Sequence, residues 1–325
     1  MTAAHIHPPK YKPQPLVVGL VNNMSVAAMA STHAQFASLL AATGRPVKLL
    51  CFTMRGDQEG LHGHLPIDAM RDHTVDAIII TGMEPSTGDL REEWLWYELT
   101  RLHDWCERDS IPSIWSCLAA HVAVLHRDGI TRRPLEAKIS GVFECIRTSA
   151  HHRLTDGMPG RWHFPHSRYN GLPEAALDAR GYAVLSRSEA VGVDIFARGD
   201  GPATFYFQGH PEYQAGTLLR EYLRDLRRYL AGESATCPFV PSDYLDEQTE
   251  QVFDALRKQA LDGSDVLATA LARAVRAKFR RNWSDTAVRL YANWLDMAAE
   301  HAARRASSHS PLASGVTVPE GAALS

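Results

Sequence analysis

The sequence predicts an α/β fold in which helices cover both faces of a mostly parallel sheet. Short apolar runs alternate with stretches of helical periodicity in the first half of the chain, an order typical of a doubly wound sheet. Later strand-like runs are separated by Gly and Pro, which favours an antiparallel extension of the same sheet. The 325 residues suffice to bury a large core. We therefore expect a single domain over residues 15–303, with additional helices at its C-terminal end.

Four apolar runs in the first half predict strands that are buried on both faces. They cover residues 16–21, 47–52, 76–80 and 111–116. Between them, leucines and aromatic residues at helical spacing predict helices over 30–43 and 92–108. Ligands of such sheets bind beyond the carboxyl ends of the strands. Residues that directly follow a strand are therefore the first candidates for a functional site.

The second half predicts short strands followed by helices. The strand-like runs lie at 142–147, 182–187, 191–197 and 203–208. Helical patterns cover 215–230 and, with a break near Gly263, residues 247–303. We expect residues 1–14 to be flexible and the Ser-, Ala- and Gly-rich residues 304–325 to be disordered.

The composition is that of an ordinary globular enzyme, with 45% hydrophobic and 22% charged residues. The net charge of −3 gives no reason to expect nucleic-acid binding. No apolar run approaches the roughly 18 residues of a membrane span, and the N-terminus lacks the apolar core of a signal peptide. The five cysteines are odd in number and have no close pairing. This pattern indicates reduced thiols in a cytoplasmic protein, without a disulfide framework or a zinc site.

Cys117 lies at a predicted junction between a strand and a helix. It follows the apolar run 111–116 and precedes the small-residue segment 118–125. A thiol at this junction sits on a sharp turn, where the helix dipole favours the reactive thiolate. The arrangement matches the nucleophile elbow of hydrolases, in which the N–H of the next residue, here Leu118, stabilises an oxyanion. Taken alone, however, Cys117 fits a small buried apolar residue better than a nucleophile.

A second motif supplies the groups that a nucleophilic cysteine needs. Residues 203–209 predict a strand that ends in Gly, and His210, Pro211 and Glu212 follow it directly. A nucleophile of this kind requires a base, and the base requires a carboxylate that orients it. Pro211 restricts the backbone between the two side chains. We therefore predict His210 as the base and Glu212 as its carboxylate.

Together these motifs resemble the class I glutamine amidotransferase-like fold, which is flavodoxin-like, and its Cys-His-Glu triad. Other segments narrow the resemblance to the homoserine O-acyltransferase family, usually homoserine O-succinyltransferases; they are residues 76–82, 138–144, 165–169 and 209–225. The resemblance covers about residues 15–300. It implies succinyl transfer from succinyl-CoA to L-homoserine through a Cys117 thioester, for methionine biosynthesis. We also expect a homodimer without bound cofactor or metal.

The resemblance further assigns substrate-binding residues. It places Lys138, Ser167 and Arg224 at the substrate, with Arg224 gripping an amino acid carboxylate in a bidentate manner. Without the resemblance, Lys138 and Arg224 would be interpreted as solvated surface charges and Ser167 as part of a hydrogen-bonded loop. A second oxyanion donor is expected from the loop after Gly82.

Two segments depart from the family's usual pattern. His121 stands where the family usually has Gln, and the loop after Gly82 differs from the usual Thr-Gly-Ala-Pro. In the family, a glycine in this loop accompanies succinyl-CoA and a glutamate accompanies acetyl-CoA. The aligned residue here is Ser86 or Thr87, and both are neutral, which favours succinyl-CoA. Glu84 lies close by and would favour acetyl-CoA if the loop were shifted.

Other functions remain open at this point. An acetyl-CoA-dependent homoserine or serine O-acyltransferase would use the same groups. A glutaminase would share the triad and the fold, although Lys138 and the segment 166–168 favour the acyltransferase. A non-catalytic binding protein is the weakest alternative, because the Cys-His-Glu set is complete.

Overall fold

The computed structural model of the chain describes residues 14–55, 63–149, 151–198, 203–280 and 282–308. Residues 1–13 of the expected flexible N-terminus and residues 309–325 of the expected tail lie outside these ranges. Within them, the strands are β1 (Leu16–Val21), β2 (Val47–Thr53), β3 (Leu65–Pro66), β4 (Ala77–Ile80), β5 (Ser113–Ser116), β6 (Arg133–Arg147), β7 (Arg161–Gly171), β8 (Tyr182–Ser188), β9 (Gly192–Arg198) and β10 (Thr204–Phe207). The helices are α1 (Val26–Ala42), α2 (Trp96–Arg108), α3 (Leu118–Asp128), α4 (Glu174–Asp178), α5 (Thr217–Leu230), α6 (Glu247–Leu261), α7 (Leu267–Ala274) and α8 (Ser284–Ser308).

All ten of these strands belong to one sheet, in the order β3-β2-β1-β4-β5-β10-β9-β8-β6-β7. The neighbours from β3 to β10 pair in parallel, and every pairing from β10 to β7 is antiparallel. The mostly parallel sheet with an antiparallel extension is thereby confirmed. The switch occurs at β10, which has β5 on one side and β9 on the other.

Alternating side chains of the central strands supply two apolar cores, one on each face of the sheet. Val18, Ile79 and Phe205 face a core that includes residues of α1, α5, α6 and α8. Ile78 and Tyr206 face the other core, which includes residues of α2, α3 and α4. Helices therefore cover both faces, as a doubly wound sheet requires. No helix among the described residues has the length and hydropathy needed to cross a membrane.

The register of the central strands sets the position of the site. Phe207 of β10 lies beside Ser116 of β5, and the backbone N–H of Cys117 donates to the carbonyl of Phe207 at 2.7 Å. The segments after β5 and β10 therefore leave the sheet side by side at the same carboxyl edge. Cys117 and His210 are brought together by this pairing.

Two strands of the antiparallel extension have bounds that the sequence did not predict. The predicted strand 142–147 is the end of the longer β6, and the segment containing Ser167, interpreted as a hydrogen-bonded loop, is strand β7. β7 is the last strand in the sheet order, which explains how it tolerates Pro165, since an edge strand can do without one N–H. At the other end of the chain, α8 continues through residues 304–308, the first five residues of the predicted tail.

Candidate active site

Cys117 occupies the turn between β5 and α3. Its backbone has φ 52° and ψ −114°, a left-handed conformation that is rare for a residue with a side chain. A strained backbone conformation persists only where the surrounding structure enforces it, and such residues cluster at functional sites. The half-buried thiol lies in the wall of a cleft. This is the predicted elbow, and Cys117 is the N-cap residue of α3.

The loop after β4 approaches the elbow closely at Gly82. A Cβ added to Gly82 would lie 2.9 Å from the N of Leu118 and 3.1 Å from the Cβ of Cys117. As the first residue of α3, Leu118 has no acceptor for its N–H within the helix. The absence of a side chain at Gly82 therefore leaves this N–H uncovered beside Cys117. The expected oxyanion donors, Leu118 and the loop that begins at Gly82, adjoin the nucleophile.

His210 and Glu212 form a hydrogen-bonded pair beside the elbow. The Nδ1 atom of His210 lies 2.8 Å from an Oε atom of Glu212, and both residues are buried. The imidazole stacks on the Tyr213 ring with 4.4 Å between centroids. The backbone N–H of His210 donates to the carbonyl of Pro165 in β7 at 2.7 Å. These contacts fix the ring, with Nδ1 engaged and Nε2 left for proton transfer.

The charge state of His210 depends on its two partners. Burial lowers the pKa of His210, but the Glu212 carboxylate and a hydrogen bond with the Cys117 side chain outweigh burial and raise this pKa well above its usual value. An imidazole with a raised pKa is a good acceptor for the thiol proton and holds it as an imidazolium. The structure thus brings together the three side chains that the sequence predicted as a triad.

The predicted substrate residues lie around the same cleft. The cleft has a volume of about 880 Å³ and is open to solvent. Lys138, Ser167 and Arg224 all line it. The Nζ atom of Lys138 lies 2.7 Å from an Asp225 carboxylate oxygen, and the Nε of Arg224 donates to the same carboxylate at 2.8 Å. Two of these charged side chains, Lys138 and Arg224, are therefore held in the cleft by one carboxylate.

Glu221 is a cleft residue that the sequence analysis did not identify. Its carboxylate accepts hydrogen bonds from the Tyr213 hydroxyl, at 2.6 Å, and from the Ser167 hydroxyl. Lys138 lies 3.7 Å away. From the sequence alone, Glu221 is indistinguishable from the other charged residues on the polar face of α5. The available signal was its spacing of three and four residues from Arg224 and Asp225, which places all three on one side of the helix.

The loop predicted to select the acyl donor is held by a buried carboxylate. The backbone N–H groups of Ser86 and Thr87 donate to Glu93 at 2.7 and 2.9 Å, and the Ser86 hydroxyl donates to its other oxygen at 2.8 Å. Glu84 lines the cleft and forms an ion pair with Arg228 at 2.8 Å. Ser86 and Thr87 come just after the part of the loop that lines the cleft, so their role in donor choice stays a prediction.

The other histidine near the elbow is not arranged as a base. His121 is buried in α3 and shares a hydrogen bond of 3.2 Å with Gln208. Burial lowers the pKa of His121 to about 3. The residue that departs from the family's usual Gln is therefore a neutral, hydrogen-bonded side chain in the wall of the cleft.

Two groups of potential metal ligands occur among the described residues. They are Cys145, His166 and Asp194, and His103, Asp104 and His126. Neither group lines the cleft at Cys117. Neither is therefore placed to act on the nucleophile, and the expectation that the reaction needs no metal stays a prediction.

Comparison with known proteins gives the family. The sequence model described as homoserine O-succinyltransferase matches residues 7–304. The chain belongs to this family. It is 43% identical over 289 residues to the homoserine O-succinyltransferase of Rhodopseudomonas palustris, covering 86% of both chains. It is 40% identical over 303 residues to that of Methylorubrum extorquens, covering 89% of this chain and 88% of the relative.

A solved structure supports the fold independently of the family. A glutamine amidotransferase from Methylobacillus flagellatus superposes with a TM-score of 0.51 at 16% identity, covering 87% of this chain and 95% of that one. At this identity the similarity concerns the fold alone. The predicted class I glutamine amidotransferase-like fold is confirmed.

Proposed function

We propose that this member of the family transfers the succinyl group of succinyl-CoA to the hydroxyl of L-homoserine through a thioester on Cys117. The observation that carries the proposal is the arrangement around one cleft. It brings together a strained Cys117, a His210–Glu212 pair with Glu212 2.8 Å from the imidazole, and charged side chains suited to an amino acid. The named relatives act on homoserine and a succinyl donor, which fits this arrangement.

In the first half-reaction, His210 takes the proton of Cys117 and the thiolate attacks the carbonyl carbon of the acyl-CoA thioester. The carbonyl oxygen becomes an oxyanion, which the N–H of Leu118 and the loop at Gly82 would stabilise. The C–S bond to CoA then breaks, and His210 returns its proton to the leaving CoA sulfur. The products are free CoA and an acyl-Cys117 thioester.

In the second half-reaction, the amino acid acceptor binds at the charged side chains of the cleft. Arg224 would hold its carboxylate and Glu221 its ammonium group, since the two side chains offer opposite charges three residues apart on α5. His210 removes the proton of the hydroxyl group, and the oxygen attacks the thioester carbon. The second tetrahedral intermediate releases the Cys117 sulfur, which recovers the proton from His210. The product is O-succinyl-L-homoserine, a precursor for methionine biosynthesis.

The remaining expectations from the sequence accompany this proposal. We expect a homodimer that acts without a bound cofactor in the cytoplasm. The described cysteines are all free thiols, which fits a reducing compartment. Size-exclusion chromatography with light scattering tests the dimer.

The proposal is tested by kcat/KM for succinyl-CoA and acetyl-CoA, each with L-homoserine and L-serine, and by ammonia release from glutamine. We expect the highest value for succinyl-CoA with homoserine and no glutaminase activity. Efficient glutamine hydrolysis without acyl transfer would replace the proposal with a glutaminase. Preference for acetyl-CoA or serine would retain the mechanism and change the substrate.

A further inference from the structure

Two arginine side chains in the wall of the cleft have no carboxylate partner. Arg132 donates to the backbone carbonyls of Thr87 and Gly88 at 3.3 and 3.2 Å. Arg168 donates to the carbonyls of Asn170, at 2.8 Å, and Val191. Neither guanidinium forms an ion pair with any residue that the structure describes. We call Arg132 and Arg168 the arginine pair.

The other cations around the cleft are matched by carboxylates. Lys138 and Arg224 share Asp225, and Arg228 is bound to Glu84. Buried or half-buried positive charges without an anion are unfavourable, because carbonyl dipoles replace only part of the lost hydration. Arg168 is only 4% exposed, and its Nε has no hydrogen-bond partner within the described chain. The arginine pair therefore leaves the cleft with positive charge that an anionic ligand would balance.

The arginine pair lies within electrostatic reach of the nucleophile. Burial lowers the pKa of both Arg132 and Arg168, and the negative charge of the Cys117 thiolate acts on both in the opposite direction. The Glu93 carboxylate also raises the pKa of Arg132, and the Asp194 carboxylate raises that of Arg168. Both carboxylates lie beyond ion-pair distance from these arginines. Glu93 is hydrogen-bonded to Ser86, and Asp194 to Ser186. Arg132 and Arg168 also line the same cleft as Cys117.

We propose that Arg132 and Arg168 form a subsite for the distal carboxylate of a dicarboxylic acyl donor such as succinyl-CoA. The proposal rests on the function proposed above. The thioester carbonyl would lie at the oxyanion donors, and the terminal carboxylate would accept hydrogen bonds from the two guanidinium groups. Planar guanidinium groups suit carboxylates, which they can bind through two parallel N–H donors. A neutral acyl group would leave both charges unmatched, so the subsite selects for the second carboxylate.

This subsite would also explain how the loop containing Ser86 and Thr87 influences the choice of acyl donor. Thr87 is bound to Glu93 through its N–H and to Arg132 through its carbonyl oxygen. The loop thus positions one of the two guanidinium groups, although Ser86 and Thr87 need not touch the acyl chain. The arrangement explains why a change of charge in this loop would alter donor choice.

The test compares kcat/KM for succinyl-CoA and for butyryl-CoA, a four-carbon donor without the distal carboxylate, at saturating homoserine. Variants are Arg132→Met, Arg132→Lys and Arg168→Lys, and the matched control is Arg133→Met, which removes an equal charge from an exposed neighbour. We expect Arg132→Met to reduce succinyl-CoA use about 10- to 100-fold and butyryl-CoA use less than about threefold, as for the loss of a charge-assisted hydrogen bond. Arg132→Lys should recover part of the succinyl-CoA activity, and Arg133→Met should leave the donor ratio unchanged.

Melting temperatures identify variants that fail to fold. The Arg132 variants are the decisive ones, because Arg132 is less buried than Arg168 and its replacement should disturb the fold less. Equal losses with both donors in a folded Arg132→Met would overturn the subsite. So would a wild type that prefers butyryl-CoA while still acylating Cys117. A wild type that forms no acyl-Cys117 with either donor would instead contradict the proposed function, so that the two failures are distinguishable by mass spectrometry of the Cys117 peptide.

Discussion

Gly82 and Leu118 approach each other so closely that a single methyl group on Gly82 would lie 2.9 Å from the Leu118 nitrogen. Real Cβ atoms do not come so near to backbone, so the loop after β4 and the start of α3 fit together only with glycine at this position. The same added methyl group would lie 3.1 Å from the Cβ of Cys117, so the contact is directly beside the nucleophile. It joins the two segments that the mechanism uses for the oxyanion.

Gly82→Ala is therefore expected to impair catalysis through the oxyanion site. The added methyl would displace the loop or cover the Leu118 N–H, and loss of one oxyanion donor costs about 10²–10³ in kcat. Steady-state kinetics with succinyl-CoA and homoserine measures the effect. Gly160→Ala is the control, because its added Cβ meets nothing within 4 Å. Near-normal kcat in Gly82→Ala would remove this loop from the mechanism.

His210→Asn is expected to reduce kcat by several orders of magnitude, since the groups of a triad depend on one another. Glu212→Gln should lose less, because it mainly leaves the imidazole poorly oriented and its positive charge unsupported. If His210→Asn retained most of the activity, His210 would not be the base of the reaction.

The pH profile provides a separate test of the His210–Glu212 pair. Glu212 and Cys117 raise the pKa of His210, so the imidazolium that protonates the leaving CoA persists to a higher pH than an ordinary histidine would allow. Glu212→Gln removes part of that effect. The alkaline limb of kcat/KM for the acyl donor should therefore move to lower pH in Glu212→Gln. An unchanged alkaline limb would mean that another group controls it.

The sequence predicted the parallel half of the fold and the triad because their signals are local. An apolar run that ends at Ser116 and a glycine that precedes His210 mark strand ends without any information on tertiary contacts. Parallel pairing then brings strand ends to one edge. The pairing of Ser116 with Phe207 in the structure is the step that turns these two signals into one site.

The polar half of the site could not be predicted in the same way. Strand β7 contributes Ser167 and Arg168 to the cleft. Together with His163 and His166, these polar residues hide the apolar alternation that identifies a strand. Glu221 and Arg132 carry no local signal that separates them from surface charges. Their roles depend on contacts with residues far away in sequence, such as Ser167 and Thr87.

Thr87→Glu is expected to shift donor preference from succinyl-CoA toward acetyl-CoA. The new carboxylate would belong to the residue whose backbone carbonyl Arg132 contacts, and it would compete with the succinyl carboxylate for that guanidinium. Like charges close together cost enough to reduce succinyl-CoA use by about tenfold or more. Ser86→Glu tests the other alignment of the loop, and the neutral Thr87→Gln is the matched control. A shift of equal size in Thr87→Gln would indicate that size, rather than charge, determines donor choice.

Acid is expected to destabilise the fold partly through His103. Burial lowers the pKa of His103 to about 4, below the 6.5 or so of the unfolded chain. Between these values the unfolded state binds a proton that the folded state does not, so stability falls as the pH drops from 6.5 toward 4. The loss between pH 7 and pH 5 amounts to about 1–2 kcal/mol for one such group.

Urea unfolding of the wild type and of His103→Gln at both pH values measures this contribution. The difference between pH 7 and pH 5 should be smaller in His103→Gln, whatever its stability at pH 7. His151→Gln changes an exposed histidine and should leave the difference unaltered. An identical pH dependence in His103→Gln and the wild type would show that His103 can be protonated in the folded state.

The most direct test of the account is the mass of the Cys117 peptide after incubation with succinyl-CoA in the absence of homoserine. In the wild type this peptide should gain one succinyl group and should lose it when homoserine is added, while Cys117→Ala should gain nothing and remain folded. The account would be contradicted by succinyl-CoA turnover in Cys117→Ala, or by a wild-type enzyme that transfers the acyl group without ever carrying it on Cys117.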